Sequence, residues 1–402
     1  MASENITTIR WGLIATGDIA RLFAKDLLID PKTRGTHDIR HAITAVASSS
    51  SKESADKFIS SHIAPTQSGD IICKAYGSYE DVVRDADVDI VYIASPHSHH
   101  FQNCMLALEN GKPTLCEKPL TVNANQAKVL YETAKRKNLF LMEAVWTRFF
   151  PLSCAVRKYI RDGLIGDVLR VYVDNSTGVD VSKLGASHRY LDKGLVGGAL
   201  LDIGVYPLTW VFQTMYHTRD KSQRQKPSRV FGILAYEEAS GTDQMVSAVV
   251  EFPASASEGQ RAAHGIMATS MVLANDPDHT RSARATVRIQ GLKGEIQVHG
   301  PVHRPEWVKT IPKLKLEGPN PPSWEAREIH FDIPAGGHGM FWEADEAARC
   351  LRDGNIESSV IPWEQSIAII EVVDEIRRQA DYTFPEEIES TQYPLRLKSR
   401  PK

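Results

Sequence analysis

Residues Ile9–Ala15 read IRWGLIA, and the chain runs straight on into Thr16-Gly17-Asp18-Ile19-Ala20. A short apolar run that ends in small residues reads as a buried strand. From Asp18 to Ile29 the apolar residues Ile19, Leu22, Phe23 and Leu27 fall at helical spacing. The junction is therefore a strand turning directly into a helix. The same alternation continues to about residue 145. His41–Ala47 (HAITAVA), Asp89–Ala94 (DIVYIA), Lys112–Cys116 (KPTLC) and Leu139–Ala144 (LFLMEA) read as strands, with helices over Ser51–Ser61, His99–Asn110 and Asn125–Lys137 between them. Short apolar strands separated by helices predict βαβ units, a parallel sheet and helices on both of its faces.

From about residue 165 the texture changes. Asp167–Asp174, Arg229–Tyr236, Gln244–Phe252, Gly265–Leu273, Ala283–Gln290, Gly294–His299 and Arg327–Ile333 read as strands, several of them alternating apolar and polar residues. That pattern predicts an antiparallel sheet with one face packed and one partly open. Two helices follow, over Phe341–Arg352 and Glu364–Ala380, and the last residues, rich in proline and charge, read as an extended tail. The fold class expected is α/β: a doubly wound parallel sheet of the Rossmann type, then an α/β domain with a large open antiparallel sheet. The expected division is 1–146, 147–385 and a tail at 386–402. Segments 213–228 and 254–263 read as variable loops without an assigned role.

Composition excludes several classes. The 402 residues are 42% apolar and 24% charged, which is ordinary for a globular protein. Lysine and arginine number 47 against 50 acidic residues, and a net charge of −3 offers no field to attract nucleic acid or an anionic membrane. No stretch approaches a membrane span, and the polar start MASENITTIR lacks the apolar centre of a signal peptide. Five scattered cysteines contain no Cys-x-x-Cys pair, so neither a disulfide framework nor a zinc site is expected. The expectation is a cytoplasmic protein with reduced thiols.

The candidate chemistry gathers at the strand ends. Ala15, Thr16, Gly17, Asp18 and Ile19 form a degenerate Gly-x-Gly-x-x-Gly, with alanine (Ala15 and Ala20) at the first and last glycine positions. Its mechanism needs little bulk where backbone meets a pyrophosphate, and a helix amino terminus aimed at it. An ordinary tight turn accounts for the same six residues. The second strand ends in Ser48, Ser49, Ser50, Ser51 and Lys52, with no carboxylate before Glu53. An acidic residue here accepts from the ribose 2′-hydroxyl of NAD. Hydroxyls and a cation suit a 2′-phosphate instead, which favours NADP. A solvated turn that reads neither cofactor is the plainer alternative. After the third apolar run comes Ser95-Pro96-His97-Ser98-His99-His100. Its three histidines lack a carboxylate or cysteine partner at ligand spacing, so a cofactor-facing loop through Pro96, His97 and His100 is expected and no metal. Glu117-Lys118-Pro119 stands where the nicotinamide of a dinucleotide would lie, and Lys118 there suits acid–base work, although a surface lysine fits as well. Finally, Gly197-Gly198 precede Asp202 and Tyr206, four apart and on one face if a single helix runs through them. Tyr206 is either a proton-transfer group or a half-buried packing residue.

In order, ATGDIA, ASPHSHH, CEKP, MEAVWTRF and GGALLDIGVYP resemble the glucose–fructose oxidoreductase / inositol dehydrogenase superfamily, within it the branch of dimeric dihydrodiol dehydrogenases and NADP-dependent D-xylose 1-dehydrogenases. The likeness covers nearly the whole chain. It implies an open sheet used for substrate binding and homodimerisation, and Lys118, Asp202 and Tyr206 in the active site. It places Trp146 and Arg148 near the nicotinamide, and Glu117 beside the cofactor. It implies oxidation of an aldopyranose such as D-xylose at C1 by NADP. Oxidation of a trans-dihydrodiol, and a non-catalytic dinucleotide sensor, are the alternatives. Two residues depart from the pattern: Ala15 replaces a glycine, and Ser49 stands where many NADP-binding relatives carry arginine.

Overall fold

A computed structural model describes residues 6–185, 188–255, 261–313 and 324–397. The chain forms two units. One comprises residues 1–146, 333–366 and 386–402, the other 147–332 and 367–385.

The first unit is built on six parallel strands: β1 Thr7–Ile14, β2 Ile39–Ala47, β3 Lys74–Tyr76, β4 Ile90–Ile93, β5 Thr114–Glu117 and β6 Leu141–Ala144. Their order across the sheet is β3-β2-β1-β4-β5-β6. That is the doubly wound order, in which the switch point falls between β1 and β4. Every residue of β4, β5 and β6 is buried, as a sheet covered on both faces requires. The crossover helices are α1 Asp18–Leu27, α2 Lys52–His62, α3 Tyr79–Arg84, α4 His100–Glu109 and α5 Ala124–Lys137. Three open on a capping side chain: Ser51, Ser78 and Asn123 each accept the N–H three residues on. The three-residue β3 is too short to carry a periodic signal in the sequence.

Among the described residues, the second unit holds α6 Pro151–Arg161, α7 Ala199–Asp202, α8 Val205–Met215 and eight strands: β7 Val168–Ser176, β8 Arg229–Tyr236, β9 Asp243–Phe252, β10 Ala263–Ser270, β11 Val287–Gly291, β12 Gly294–Val298, β13 Trp307–Pro312 and β14 Arg327–His330. Their order is β14-β13-β12-β11-β7-β10-β9-β8. The sheet is not wholly antiparallel, because β10 lies parallel to β7. The connection from β7 to β10 passes through α7, α8 and the β8–β9 hairpin, and so returns β10 in the direction of β7. Residues 213–215, read from sequence as part of a loop, complete α8 and are buried. Of the segment 254–263, residues 256–260 lie outside the described residues. No single helix among the described residues is long and apolar enough to cross a membrane.

After β14 the chain rejoins the first unit with α9 Phe341–Arg352, so this helix does not belong with 147–385. Buried polar groups decide its place. The Trp11 indole N–H donates to His41 Nδ1 at 3.1 Å, which leaves His41 Nε2 as the donor to Asp345 at 2.8 Å. Arg34 Nε and Nη2 reach the same carboxylate at 2.8 Å each, and so does the Thr36 hydroxyl. These partners hold the Asp345 carboxyl far below the usual carboxylate range. At the other end, Asp26 of α1 accepts the N–H groups of His338, Gly339 and Met340, which cap α9. Two elements follow, α10 Trp363–Gln379, divided between the units, and α11 Glu386–Glu389 in the first. The carboxyl-terminal segment is therefore not simply extended. Gln126 Nε2 donates to the carbonyls of Ile388 and Ser390, and Gln102 Nε2 to that of Gln392, which docks it on α4 and α5.

The Arg34 and Asp345 side chains are 0% and 2% exposed. Asp345→Ala is expected to cost about 3–5 kcal/mol of unfolding free energy in urea titration, because Arg34 is left buried without its counter-charge. A loss below about 1 kcal/mol, the size of a surface pair, would contradict this role.

Candidate active site

In the first unit the candidate residues sit at the carboxyl ends of β1, β2, β4 and β5. Ala15 leaves β1 with φ +78°, a left-handed conformation that costs a non-glycine residue about 1–2 kcal/mol. Its N–H is fixed on the Ala47 carbonyl at 3.1 Å, so the β1–β2 pairing holds the turn in place. Gly17 precedes α1 with no side chain capping the helix. The first N–H groups of α1 are thus left for an anion, beside the exposed Gly17 and Asp18 and the half-buried Ile19. The Asp18 carboxylate is turned to Arg21, 3.4 Å away. Thr16 Oγ1 donates to Ser48 Oγ at 3.3 Å, which links the two turns. Ser49 and Lys52 are exposed, Lys52 as the first residue of α2. This donor set, with no acid before Glu53, fits a phosphorylated dinucleotide.

Lys118 follows β5 and is 9% exposed. Its surroundings are built by carboxylates and a histidine. Glu117 turns inward: Oε1 accepts the Tyr92 hydroxyl at 2.6 Å and Oε2 the Lys118 N–H at 3.2 Å. Glu117 therefore shapes the strand end at which Lys118 stands. Glu143 Oε1, from β6, accepts the Leu120 N–H at 2.9 Å and ties down the far side of the loop. His100 is wholly buried between the carbonyls of Pro119 and Ser95, 2.7 and 2.9 Å from Nδ1 and Nε2. Set between two backbone carbonyls, the neutral His100 ring donates to one of them and holds the Lys118 loop against the Ser95 loop. Burial is the main cause that pushes its pKa down to about 4, with the Lys118 charge acting in the same direction. His97 packs edge-on against that ring, centroids 5.5 Å apart, and Pro96 is exposed at the head of the same loop. No metal-ligating group of three occurs among the described residues. Trp146 is 9% exposed.

In the second unit, Arg148 is fully buried, and its carbonyl accepts from Arg157 Nη1 at 2.9 Å. The structure thus gives Arg148 a buried position. Asp202 and Tyr206 do not share one helix. The helical segments 193–202 and 205–215 are bent by 43°, with the break at Ile203-Gly204, so the four-residue spacing does not stack the two side chains. Asn175 Nδ2 donates to the Ile203 carbonyl freed at that break, at 2.9 Å. Asp202 pairs with Arg189 at 3.1 Å, and the Tyr206 ring lies 5.5 Å from that of His303. Neither partner was legible in the sequence, since Arg189 and His303 stand in irregular segments with no motif around them.

A model described as an oxidoreductase family with an NAD-binding Rossmann fold matches residues 9–145, and a GFO/IDH/MocA C-terminal domain matches 154–297. The D-xylose 1-dehydrogenase (NADP(+)) of Hypocrea jecorina is 48% identical over 404 residues, spanning 98% of this chain and 97% of that protein. The chain belongs to the GFO/IDH/MocA family of oxidoreductases. A human GFO/IDH/MocA relative, trans-1,2-dihydrobenzene-1,2-diol dehydrogenase, is 32% identical over 94% of this chain and 99% of its own. The fold is shared with levoglucosan dehydrogenase, solved with NADH and levoglucosan, at a TM-score of 0.73 and 19% identity, covering 93% of this chain and 98% of that one. It is shared too with a 3-ketoreductase of Actinomadura kijaniata solved with NADP and TDP-benzene, at 0.68 and 21%, covering 92% and 98%.

The His100 clamp has a pH signature. Its folded pKa lies near 4, below the ordinary histidine value of about 6.5, so the unfolded chain binds the extra proton first as pH falls. Stability from neutral His100 is complete above pH 6.5 and is lost toward pH 4, by roughly 1.4 kcal/mol per unit. His100→Asn is expected to lower the melting temperature at pH 7, and the gap to the unmodified protein should narrow as pH falls from 6.5 to 4. Parallel curves over that interval would refute the clamp as described.

Proposed function

We propose that this chain oxidises the C1 hydroxyl of an aldopyranose, D-xylose first, to the aldonolactone with reduction of NADP to NADPH. The observation that carries the reading is the 48% identity, spread over 98% of the chain, to a D-xylose 1-dehydrogenase (NADP(+)). The oxidised nicotinamide, when bound, supplies the hydride acceptor. The α1 start at Gly17, with Ala15, Thr16, Asp18 and Ile19, is the pyrophosphate cradle in this reading. Ser48, Ser49 and Lys52 receive the 2′-phosphate, which an acidic residue there would repel.

The chain's own chemistry is proton transfer. Tyr206 takes the proton of the sugar hydroxyl. A phenol near its ordinary pKa of ~10 needs positive charge to act near neutrality, and the Lys118 ammonium is the cation assigned to that task. Asp202 carries negative charge and so does not favour a phenolate. Its task is orientation, together with Arg189, with which it is ion-paired. Trans-dihydrodiols, named for relatives at 32% identity, are oxidised by the same steps at an alcohol carbon and form the second substrate class to test.

The reading includes a cytoplasmic homodimer. All five cysteines carry free thiols, which suits a reducing compartment. Phe231, Ile233, Met245 and Val249 are exposed on β8 and β9, and the register places Phe231 opposite Val249 and Val249 opposite Ile266. An apolar row across three strands suits a second copy of the same sheet.

Two expectations follow. With D-xylose as substrate, kcat/KM with NADP should exceed that with NAD by at least about tenfold, or 1.4 kcal/mol, and Ser48→Asp should move the ratio toward NAD. Equal use of both cofactors would end the 2′-phosphate assignment. Lys118→Ala should lower kcat by ~10²–10⁴ and Tyr206→Phe should abolish most turnover, both with NADPH binding retained in fluorescence titration. Cofactor binding without turnover of any sugar or dihydrodiol by the unmodified protein would leave the dinucleotide-sensor reading in place of the enzyme.

A further inference from the structure

Within the second unit, the segment that carries Asp202 and Tyr206 is held from outside by a residue that no motif marks. Asp243 is the first residue of β9 and is 2% exposed. Its Oδ2 accepts the Leu200 N–H at 2.6 Å, and the Ala199 N–H faces the same carboxylate. α7 is only four residues long, far too short to be stable alone, and Gly198 precedes it without a side-chain cap. The carboxylate of a distant strand thus supplies the cap that the local sequence omits. Gly198 explains the omission. It stands at φ +123°, and a Cβ there would collide with Asp243 Oδ1, while one at Gly197 would collide with the Arg189 and Tyr190 carbonyls. The glycine pair is what lets this carboxylate reach the backbone.

We propose that Asp243 is a positioning residue for the reaction: as a carboxylate it fixes α7, and so sets Asp202 at the end of α7 and Tyr206 just past the 203–204 break. The proposal rests on the assignment of Asp202 and Tyr206 to proton transfer. Asp243 touches neither substrate nor cofactor in it. A carboxylate accepts through both oxygens, whereas the protonated form puts a hydrogen where one of these donors points. Protonation therefore loosens the cap and lowers turnover.

The groups facing Asp243 fix the direction of its response. Burial pushes its carboxyl up to about 7, against the pull of the backbone N–H donors. The Tyr382 hydroxyl, itself buried, lies close to the carboxylate short of a well-aligned hydrogen bond, and it favours the ionised form. Around Tyr382 stand Lys193, whose Nζ is 4.5 Å from the ring centre, Tyr236, with ring centres 5.6 Å apart, and Arg377, whose charge also bears on the Tyr382 hydroxyl. The charge of Asp381 bears on Tyr236.

The test is the pH profile of kcat from pH 5.5 to 9, with saturating NADP and D-xylose, on the full chain. The unmodified enzyme is expected to lose turnover on the acid side with a midpoint near 7. Asp243→Asn should lower kcat by about tenfold, leave the KM for NADP within about twofold, and lack that midpoint. Tyr382→Phe removes one group that favours the carboxylate, so its midpoint should rise by about half a unit or more while the alkaline plateau is kept. Tyr382→Phe carries the test alone if Asp243→Asn fails to fold by circular dichroism. A midpoint that persists in Asp243→Asn, or that stays or falls in Tyr382→Phe, overturns the proposal. Full activity in Tyr206→Phe overturns instead the assignment beneath it, and the two failures are thereby told apart.

Discussion

A helix start buried without partners for its N–H groups is unaffordable, and three helix starts in this protein answer that constraint in different ways. α9 is capped by Asp26, reaching across from α1. α7 is capped by Asp243, from the first residue of a strand. α1 is left without a side-chain cap at the exposed Gly17. The first two are structural solutions in which a carboxylate distant in sequence completes a short or incoming helix. The third leaves donors directed outward at the switch point of a doubly wound sheet, where ligands of such sheets bind.

The same economy shapes the loop after β5. Three polar side chains brace the loop of Lys118: Glu117 accepts the Tyr92 hydroxyl and the Lys118 N–H, Glu143 accepts the Leu120 N–H, and His100 lies between the Pro119 and Ser95 carbonyls. A histidine cluster and an acidic residue beside a lysine look like ligand groups when only their chemistry is considered. Burial changes their meaning. A wholly buried imidazole between two carbonyls is a brace, and its low pKa follows from the loss of water around it. The loop that carries Lys118 is thereby held at several points of its backbone.

The second unit shows the opposite distribution. One face of its sheet carries the helices that bear Asp202 and Tyr206, and the other exposes Phe231, Ile233, Met245 and Val249. The fold is shared with levoglucosan dehydrogenase at only 19% identity. What such sequences hold in common is the pattern of buried strands and turns. That pattern tolerates exchange of individual apolar residues, because burial depends on volume and spacing more than on identity.

The linear order of residues alone dictated the doubly wound sheet, since buried parallel strands must be short continuous apolar runs and their crossovers must be amphipathic helices. It determined Lys118 after β5, and the absence of an acid at the end of β2, because both are facts of local order. It did not determine that Phe341–Arg352 rejoins the first unit, because Asp345 finds Arg34, Thr36 and His41 only once β2 is formed. It did not determine that Glu117 would hold Tyr92, that His100 would lie between two carbonyls or that Arg148 would be buried, since each depends on chain brought from elsewhere. It gave one helix through Asp202 and Tyr206, where the structure has a 43° break sealed by Asn175. Asp243 carried no signal at all, because a cap supplied by another strand leaves no trace in the spacing of the helix it holds. Periodicity encodes which face of an element is buried, whereas the pairing of buried polar groups across more than forty residues is decided only when the chain has folded.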